Sequence, residues 1–317
     1  MKRSLLFFFV VFTIQLFAQE KKIPDTVKVG IYIVSVHDID FRQKQCSIRF
    51  WIWTRYKNAD FDFAKNLEVT NAKSVSKSDQ TTDTSGGEVY NLMLMTCVMN
   101  QSWLVHDYPF DQQKLEVHIE NSQYDNRDFI FVADTAEHLY DPKLAIKGWE
   151  MSNVKVSTSI HSYETTFGDV TLTKPHSEYS SFDISMNIER NAWGLFFKLF
   201  LGMYVAFFIT YVCIFIHADH IDSRFGLSVG ALFAAVGNKY IIDSLLPESS
   251  SFTLVDSLHA FTFISIFVTI TLSVFALYLK KNNQLEKANR IDKITARTML
   301  IIYILLNIIF VGNAIIT

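Results

Sequence analysis

Apolar residues follow two different rhythms along this chain. Over residues 24–191 they alternate with polar ones, and from Trp193 onward they gather into long blocks. In the first part Val27, Val29, Ile31 and Ile33 share one face, and Ile48, Phe50 and Ile52 oppose Arg49, Trp51 and Trp53. Leu115, Val117 and Ile119 repeat the pattern, as do Val154, Val156 and Ile160, and then Phe182, Ile184, Met186 and Ile188. A period of two marks strands with one dry face. Many such strands, separated by turn-rich stretches such as residues 74–88 and with no helical spacing between them, predict an all-β, immunoglobulin-like sandwich of two antiparallel sheets.

The blocks in the second part have spanning length. Four membrane helices are predicted, at about residues 193–216, 225–246, 258–279 and 299–316. The stretch between the third and fourth, KKNNQLEKANRIDKITAR, is read as a loop; its excess of Lys and Arg predicts a cytoplasmic location. Four crossings then return both ends of this domain to the exported side.

Residues 1–18 belong to neither part. Lys2 and Arg3 precede an apolar run from Leu5 to Phe17, closed by Ala18, which is the build of a secretory signal peptide. The expected organisation is a signal peptide (1–18), a periplasmic or extracellular sandwich (19–191) and a transmembrane domain (192–317) in the cell membrane. Of the three cysteines, Cys213 falls in a membrane segment, so Cys46 and Cys97 either pair or stay as buried thiols. The net charge of −3 over 317 residues gives no bulk attraction to nucleic acid.

Polar residues inside a membrane are costly, which makes the second helix informative. At about 100° per residue, Asp222, Gly226, Gly230, Phe233, Gly237, Tyr240, Ser244 and Glu248 fall within one stripe, while Arg224 and Lys239 lie off it. Carboxylates at both ends and glycines within suit the wall of a water-filled pore. The same Gly226–Gly230 spacing also suits close helix packing.

The segment YPFDQQ (108–113) stands where the chain enters a strand. A Tyr108–Pro109 bond has an accessible cis form that makes a tight reversal, and Tyr108 and Phe110 give that turn an apolar tip.

These pieces together resemble the pentameric ligand-gated ion channels, the Cys-loop receptor superfamily. The resemblance covers about residues 27–317 and rests on YPFDQQ, on Arg190 ahead of the first membrane helix, on Gly148-Trp149, and on Leu246-Pro247 closing the second. It implies a homopentamer whose second helices line the pore. It also implies that the loop holding Asp111 sits at the domain junction and pairs with Arg190, with Asp38 or Asp40 of the first hairpin as a third member. Tyr108, Pro109, Phe110, Asp111, Arg190 and Pro247 then couple the two domains, and a double charge reversal at 111 and 190 is expected to recover part of what either single change loses. The flanking loop cysteines of animal receptors would fall near Gln101 and Leu115, so the chain looks like a prokaryotic member. It departs further in Trp53-Thr54-Arg55, which lacks an aspartate, and in Phe233, where the family usually has an aliphatic residue.

The hairpin bracketed by Tyr163, Phe167 and Tyr179 corresponds to the one that caps an interfacial ligand site, where an aromatic box can hold a cation; surface aromatics that merely stabilise a hairpin are the alternative. Acids at Asp125, Asp128, Asp134, Glu137 and Asp141 suit either Ca²⁺ modulation or a solvated loop. His217 and His220 have helical spacing but no third ligand, so no metal site or cofactor is expected. No catalytic constellation is present in the sequence. The expected function is a ligand-gated channel for monovalent cations, opened by an unidentified small-molecule or ionic agonist. The alternative is a ligand sensor of the same architecture that conducts nothing.

Overall fold

The structure is a computed structural model of the full chain and describes residues 23–135, 138–168, 170, 175–217 and 220–316. The signal peptide at 1–18 and Glu137 lie outside the described residues.

Nine strands come first: β1 (Asp25–Asp40) and β2 (Gln45–Tyr56), then, after the short helix α1 (Phe63–Asn66), β3 (Leu67–Val69), β4 (Ala72–Ser85), β5 (Glu88–Asn100), β6 (Gln112–Asn121), β7 (Phe129–Ala133), β8 (Trp149–Tyr163) and β9 (Ser177–Arg190). They form two sheets, ordered β4-β5-β2-β1-β7 and β3-β6-β9-β8. All neighbours are antiparallel except β1 and β7. The period-two residues named above supply the core: Val27, Ile31, Ile48, Phe50, Ile52, Leu115, Val117, Phe182 and Ile184 are buried together between the sheets. Cys46 and Cys97 lie in this core as free thiols, and burial pushes both up to about 12. At ordinary pH they stay protonated and unreactive.

Four helices follow, each long and apolar enough to cross a membrane: α2 (Ala192–Cys213), α3 (Ile221–Asp243), α4 (Leu254–Lys281) and α5 (Leu285–Ile316). Their ends differ from the predicted ones for local reasons. Helix α3 starts before residue 225, with Asp222 in its first turn beside the positive helix end, and stops at Asp243 because Pro247 disfavours helical backbone just before it. Ser244 caps that end and Glu248 lies beyond it, so these two leave the helical stripe on which the sequence pattern placed them. Helix α4 begins at a capping box in which Thr253 and Asp256 exchange side-chain bonds. The largest difference is α5: residues 285–298, read as loop because they are charged, form about four further helical turns. Their inward positions Ala288, Asp292 and Ala296 are buried, and the remaining charges, Glu286, Lys287, Arg290, Lys293 and Arg297, are exposed.

Candidate functional site

Helix α3 presents two opposite faces. Arg224, Ser228, Ala231, Ala235 and Ile242 are buried against the other helices. About 180° away, Asp222, Gly226, Gly230, Phe233, Gly237 and Tyr240 are exposed. A methyl group built on Gly226, Gly230 or Gly237 would meet nothing within 4 Å, so these glycines pack against no other helix of their own chain. Gly202 of α2 is the contrasting case: its added methyl would stand 3.1 Å from the Asn238 side chain. Phe233 and Tyr240 are 72% and 75% exposed, so neither ring is folded back into the bundle.

Polar contacts, buried at Arg224 and partly buried at Asn238 and Lys239, hold α3 in this rotation. Asn238 donates to the Leu199 carbonyl at 2.9 Å, and its side-chain oxygen accepts from His259 of α4 at 3.1 Å. Lys239 lies 2.8 Å from both Asp243 and Asp256. At the opposite end, Arg224 donates to the carbonyls of Ile214 and Ile216 and pairs with Asp292 of α5 at 2.6 Å. Sequence reasoning named neither His259 nor Asp292, although a histidine inside the apolar block of α4 was a visible signal.

The junction between sheets and helices is built around Arg190, the last residue of β9. Its Nε donates to Asp111 Oδ1 at 3.0 Å, and Gln113 donates to the other carboxylate oxygen at 2.8 Å. The guanidinium also lies over three rings, at 4.0 Å from Trp149, 4.8 Å from Phe41 and 5.0 Å from Tyr108. Burial raises the Tyr108 phenol, and the nearby Arg190 charge offsets part of that rise. Asp38 and Asp40 do not join the pair. The carboxylate of Asp38 sits 3.6 Å from His37, and that of Asp40 accepts from the Gln43 backbone in the hairpin turn. The turn geometry uses their acceptors locally, and the position expected for a third acid is taken by the aromatic cage and Gln113.

The Tyr108–Pro109 bond is cis. Tyr108 packs with Phe196, Phe200, Ile242 and Leu254 in the helical core, and Phe110 meets Trp193 and Phe196 with ring centres 5.2 and 5.4 Å apart. The Leu254 amide donates to the His106 carbonyl at 2.8 Å. Next to Pro247, a cavity of about 530 Å³ sets Arg42 and Lys44 of the first hairpin near Asp243 and Glu248.

Tyr163, Phe167 and Tyr179 converge, with ring centres 5.4 to 6.2 Å apart, and line a cavity of about 500 Å³ together with Glu68 and Glu120. Glu120 is buried; its two oxygens accept from His161 at 2.7 Å and from the Tyr163 hydroxyl at 3.0 Å. Glu68, directly opposite Glu120 in the β3–β6 register, is held above its ordinary value by partial burial and then by its neighbour's charge. Sequence reasoning found the aromatics and missed both acids, because their juxtaposition depends on strand register. It also missed a second aromatic surface on the other sheet, where Tyr32, Trp51, Trp53, Tyr90 and Arg55 line about 380 Å³. There Trp53 lies flat over Gly30, where a methyl group would come within 2.4 Å of the indole, and its Nε1 donates to Asp134 at 3.2 Å.

Among the described residues, the acids considered for Ca²⁺ come together in no ligating group. Asp125 binds Arg127, Asp134 binds Arg55, and Asp141 accepts from the Lys143 backbone. Among the described residues no group of three metal-ligating side chains comes together, and the histidines at 217 and 220 are no exception.

No family model matches the chain. It is similar to a protein of Gloeobacter violaceus named proton-gated ion channel, at 18% identity over 307 residues that cover 90% of this chain and 82% of the relative. With four helices able to span and this similarity over 90% of the chain, the chain is a multi-pass membrane protein.

Proposed function

We propose that this chain is one subunit of a ligand-gated, cation-selective ion channel formed by five identical copies. The observation that carries the reading is the outward stripe of α3. A face with three glycines, an exposed carboxylate and only two bulky side chains is unlike the exposed isoleucine row of α5 (Ile301, Ile304, Ile308), and it suits the wall of a water-filled pore. Ringing five copies through one repeated contact turns these faces inward around a common axis. The channel named in the relative supports the same conclusion.

On this reading the sandwich is exported behind its signal peptide, and an agonist acts at the Tyr163–Phe167–Tyr179 pocket. Two carboxylates beneath three rings favour a small cationic agonist. The gating stimulus named for the relative makes protons the first to try, and Glu68 and Glu120 are the carboxyl groups that line the pocket.

Purified full-length protein reconstituted in planar bilayers, stepped from mildly alkaline to acidic pH and then exposed to small organic ammonium ions, tests the proposal. Stimulus-dependent current that reverses near the cation equilibrium potential is expected. Protein that assembles and binds ligand but passes no current would be a sensor, and would overturn it.

A further inference from the structure

Two walls of opposite charge face each other where the first hairpin stands beside the end of α3. The turn between β1 and β2 carries Arg42 and Lys44, both exposed and both lining the cavity of about 530 Å³ next to Pro247. Asp243 and Glu248 line it from the other side, and Tyr240, Leu246 and Pro247 add apolar surface.

The hairpin tip is fixed by its backbone. Asp40 accepts from the Gln43 amide at 2.8 Å, the Lys44 amide donates to the Phe41 carbonyl at 3.2 Å, and the Gln101 amide donates to the Lys44 carbonyl at 2.9 Å. Lys44 itself holds a left-handed backbone conformation, φ +52°, which a residue with a Cβ adopts at a cost. Phe41, at the other end of the turn, is buried under the Arg190 guanidinium. None of this uses the cationic groups of Arg42 and Lys44.

The charges on the two walls do not meet. Among the described residues, Arg42, Lys44 and Glu248 take part in no ion pair. Asp243 has Lys239 at 2.8 Å, but shares it with Asp256 and stays half exposed. The α3 wall thus keeps an excess of negative charge, and the negative end of the helix adds to it. Elsewhere this protein closes such charges onto each other, Arg190 on Asp111 at 3.0 Å and Arg224 on Asp292 at 2.6 Å. An open cleft with opposite charges on its two sides suits a solute that brings both countercharges.

We propose that this cleft binds a linear zwitterion, an ammonium and a carboxylate joined by a short aliphatic chain. The carboxylate meets the Arg42 fork and the Lys44 ammonium as charge-assisted donors. The ammonium meets Asp243, Glu248 and the carbonyl end of α3. Tyr240, Leu246 and Pro247 cover the methylenes. The cavity is of the size of small-molecule sites, about 300–1,000 Å³. A solute with a single charge would be attracted by one wall and repelled by the other. The cleft shares no residue with the aromatic pocket, and its occupation does not depend on conduction.

Full-length protein in phosphatidylcholine nanodiscs, titrated calorimetrically with 6-aminohexanoate, provides the test. Tetramethylammonium is kept in excess to fill the aromatic pocket. Wild type is expected to bind 6-aminohexanoate saturably and about tenfold tighter than hexanoate or hexylamine, a comparison that needs no variant to fold. Raising salt should weaken the binding. Arg42→Gln/Lys44→Gln should weaken the zwitterion about tenfold and turn the preference toward hexylamine, and Glu248→Gln should turn it toward hexanoate. Hexanoate binding wild type as tightly as the zwitterion would make the cleft a plain anion site and overturn the proposal. So would the absence of saturable binding, or wild-type affinity in the double glutamine variant, which would put the ligand elsewhere.

Discussion

Arg190 meets Asp111 on one edge of its guanidinium, at 3.0 Å, and three aromatic rings on its faces and flank. The carboxylate satisfies the donors while the rings satisfy the charge, and both partners are largely out of water. Removing the carboxylate alone leaves a cation with rings and no anion, which costs about 3–5 kcal/mol. Asp111→Asn should therefore lower the thermal unfolding midpoint and impair opening more than assembly. An exchange of the two charges, Asp111→Arg with Arg190→Asp, should rescue little, because a carboxylate at 190 would face the negative faces of Trp149, Phe41 and Tyr108. Restoration of wild-type stability by the exchange would show that the cage is incidental.

Phe233 is the bulk nearest the middle of the exposed stripe of α3, with glycines leaving room above and below. Five such rings around an axis make a dry constriction. Phe233→Ala is expected to give current without stimulus or a large gain in sensitivity, and Tyr240→Ala a smaller effect because its hydroxyl keeps a ring of tyrosines wetter. Patch recordings that find Phe233→Ala shut at rest, with unchanged sensitivity, would move the barrier elsewhere.

Asp222 stands in the exposed first turn of α3, whereas Arg224 is consumed by Asp292 and two carbonyls. In the proposed channel this end of α3 would form an anionic mouth. Asp222→Asn should reduce the preference for cations, read as a shift of reversal potential in a KCl gradient toward the chloride equilibrium. Asp292→Asn should do the same by a different route, through release of Arg224, and should also destabilise the fold by about 3–5 kcal/mol.

Asp183 sits in the four-stranded sheet with bonds from His118, Ser159 and Ser181 at 2.7, 2.7 and 2.8 Å. Partial burial alone would raise its carboxyl, but the three donors outweigh burial and hold it below its ordinary 3.8. A depressed carboxyl contributes stability that is complete above the unfolded value and is lost as pH falls through the folded one. Ser159→Ala should therefore move the acid limb of the unfolding curve to higher pH and leave stability near neutral pH changed by about 1 kcal/mol. Circular dichroism followed across an acid titration reads both; an unmoved acid limb would mean that the remaining donors suffice.

The period-two and block patterns carried the two-part fold, because burial on one face of a strand, or on all sides in lipid, leaves a local signature. The α3 stripe was visible for the same reason, and the structure turns it away from its own bundle. What the pattern could not carry depends on register or on distant partners. Glu68 and Glu120 become neighbours only once β3 pairs with β6, and Trp53 reaches Asp134 only across Gly30 and a parallel strand. The helical start of α5 was hidden by its charges, which read as solvent exposure when their buried counterparts, Asp292 among them, are set by Arg224 far earlier in the chain. Asp40 was misplaced because the hairpin turn uses its carboxylate to accept from the Gln43 amide, and Asp38 because its carboxylate stays exposed beside His37.

Leu246 packs against the sandwich core and the helical core at once. The two domains consequently have no slip plane at that point. In the proposed channel, a push on the sandwich would reach the end of α3 through this one side chain, and a tilt of α3 would return by the same route. The turn from Ser244 to Pro247 thus behaves as a gear tooth shared by two wheels, and shortening it, as in Leu246→Ala, would introduce backlash before it broke the machine.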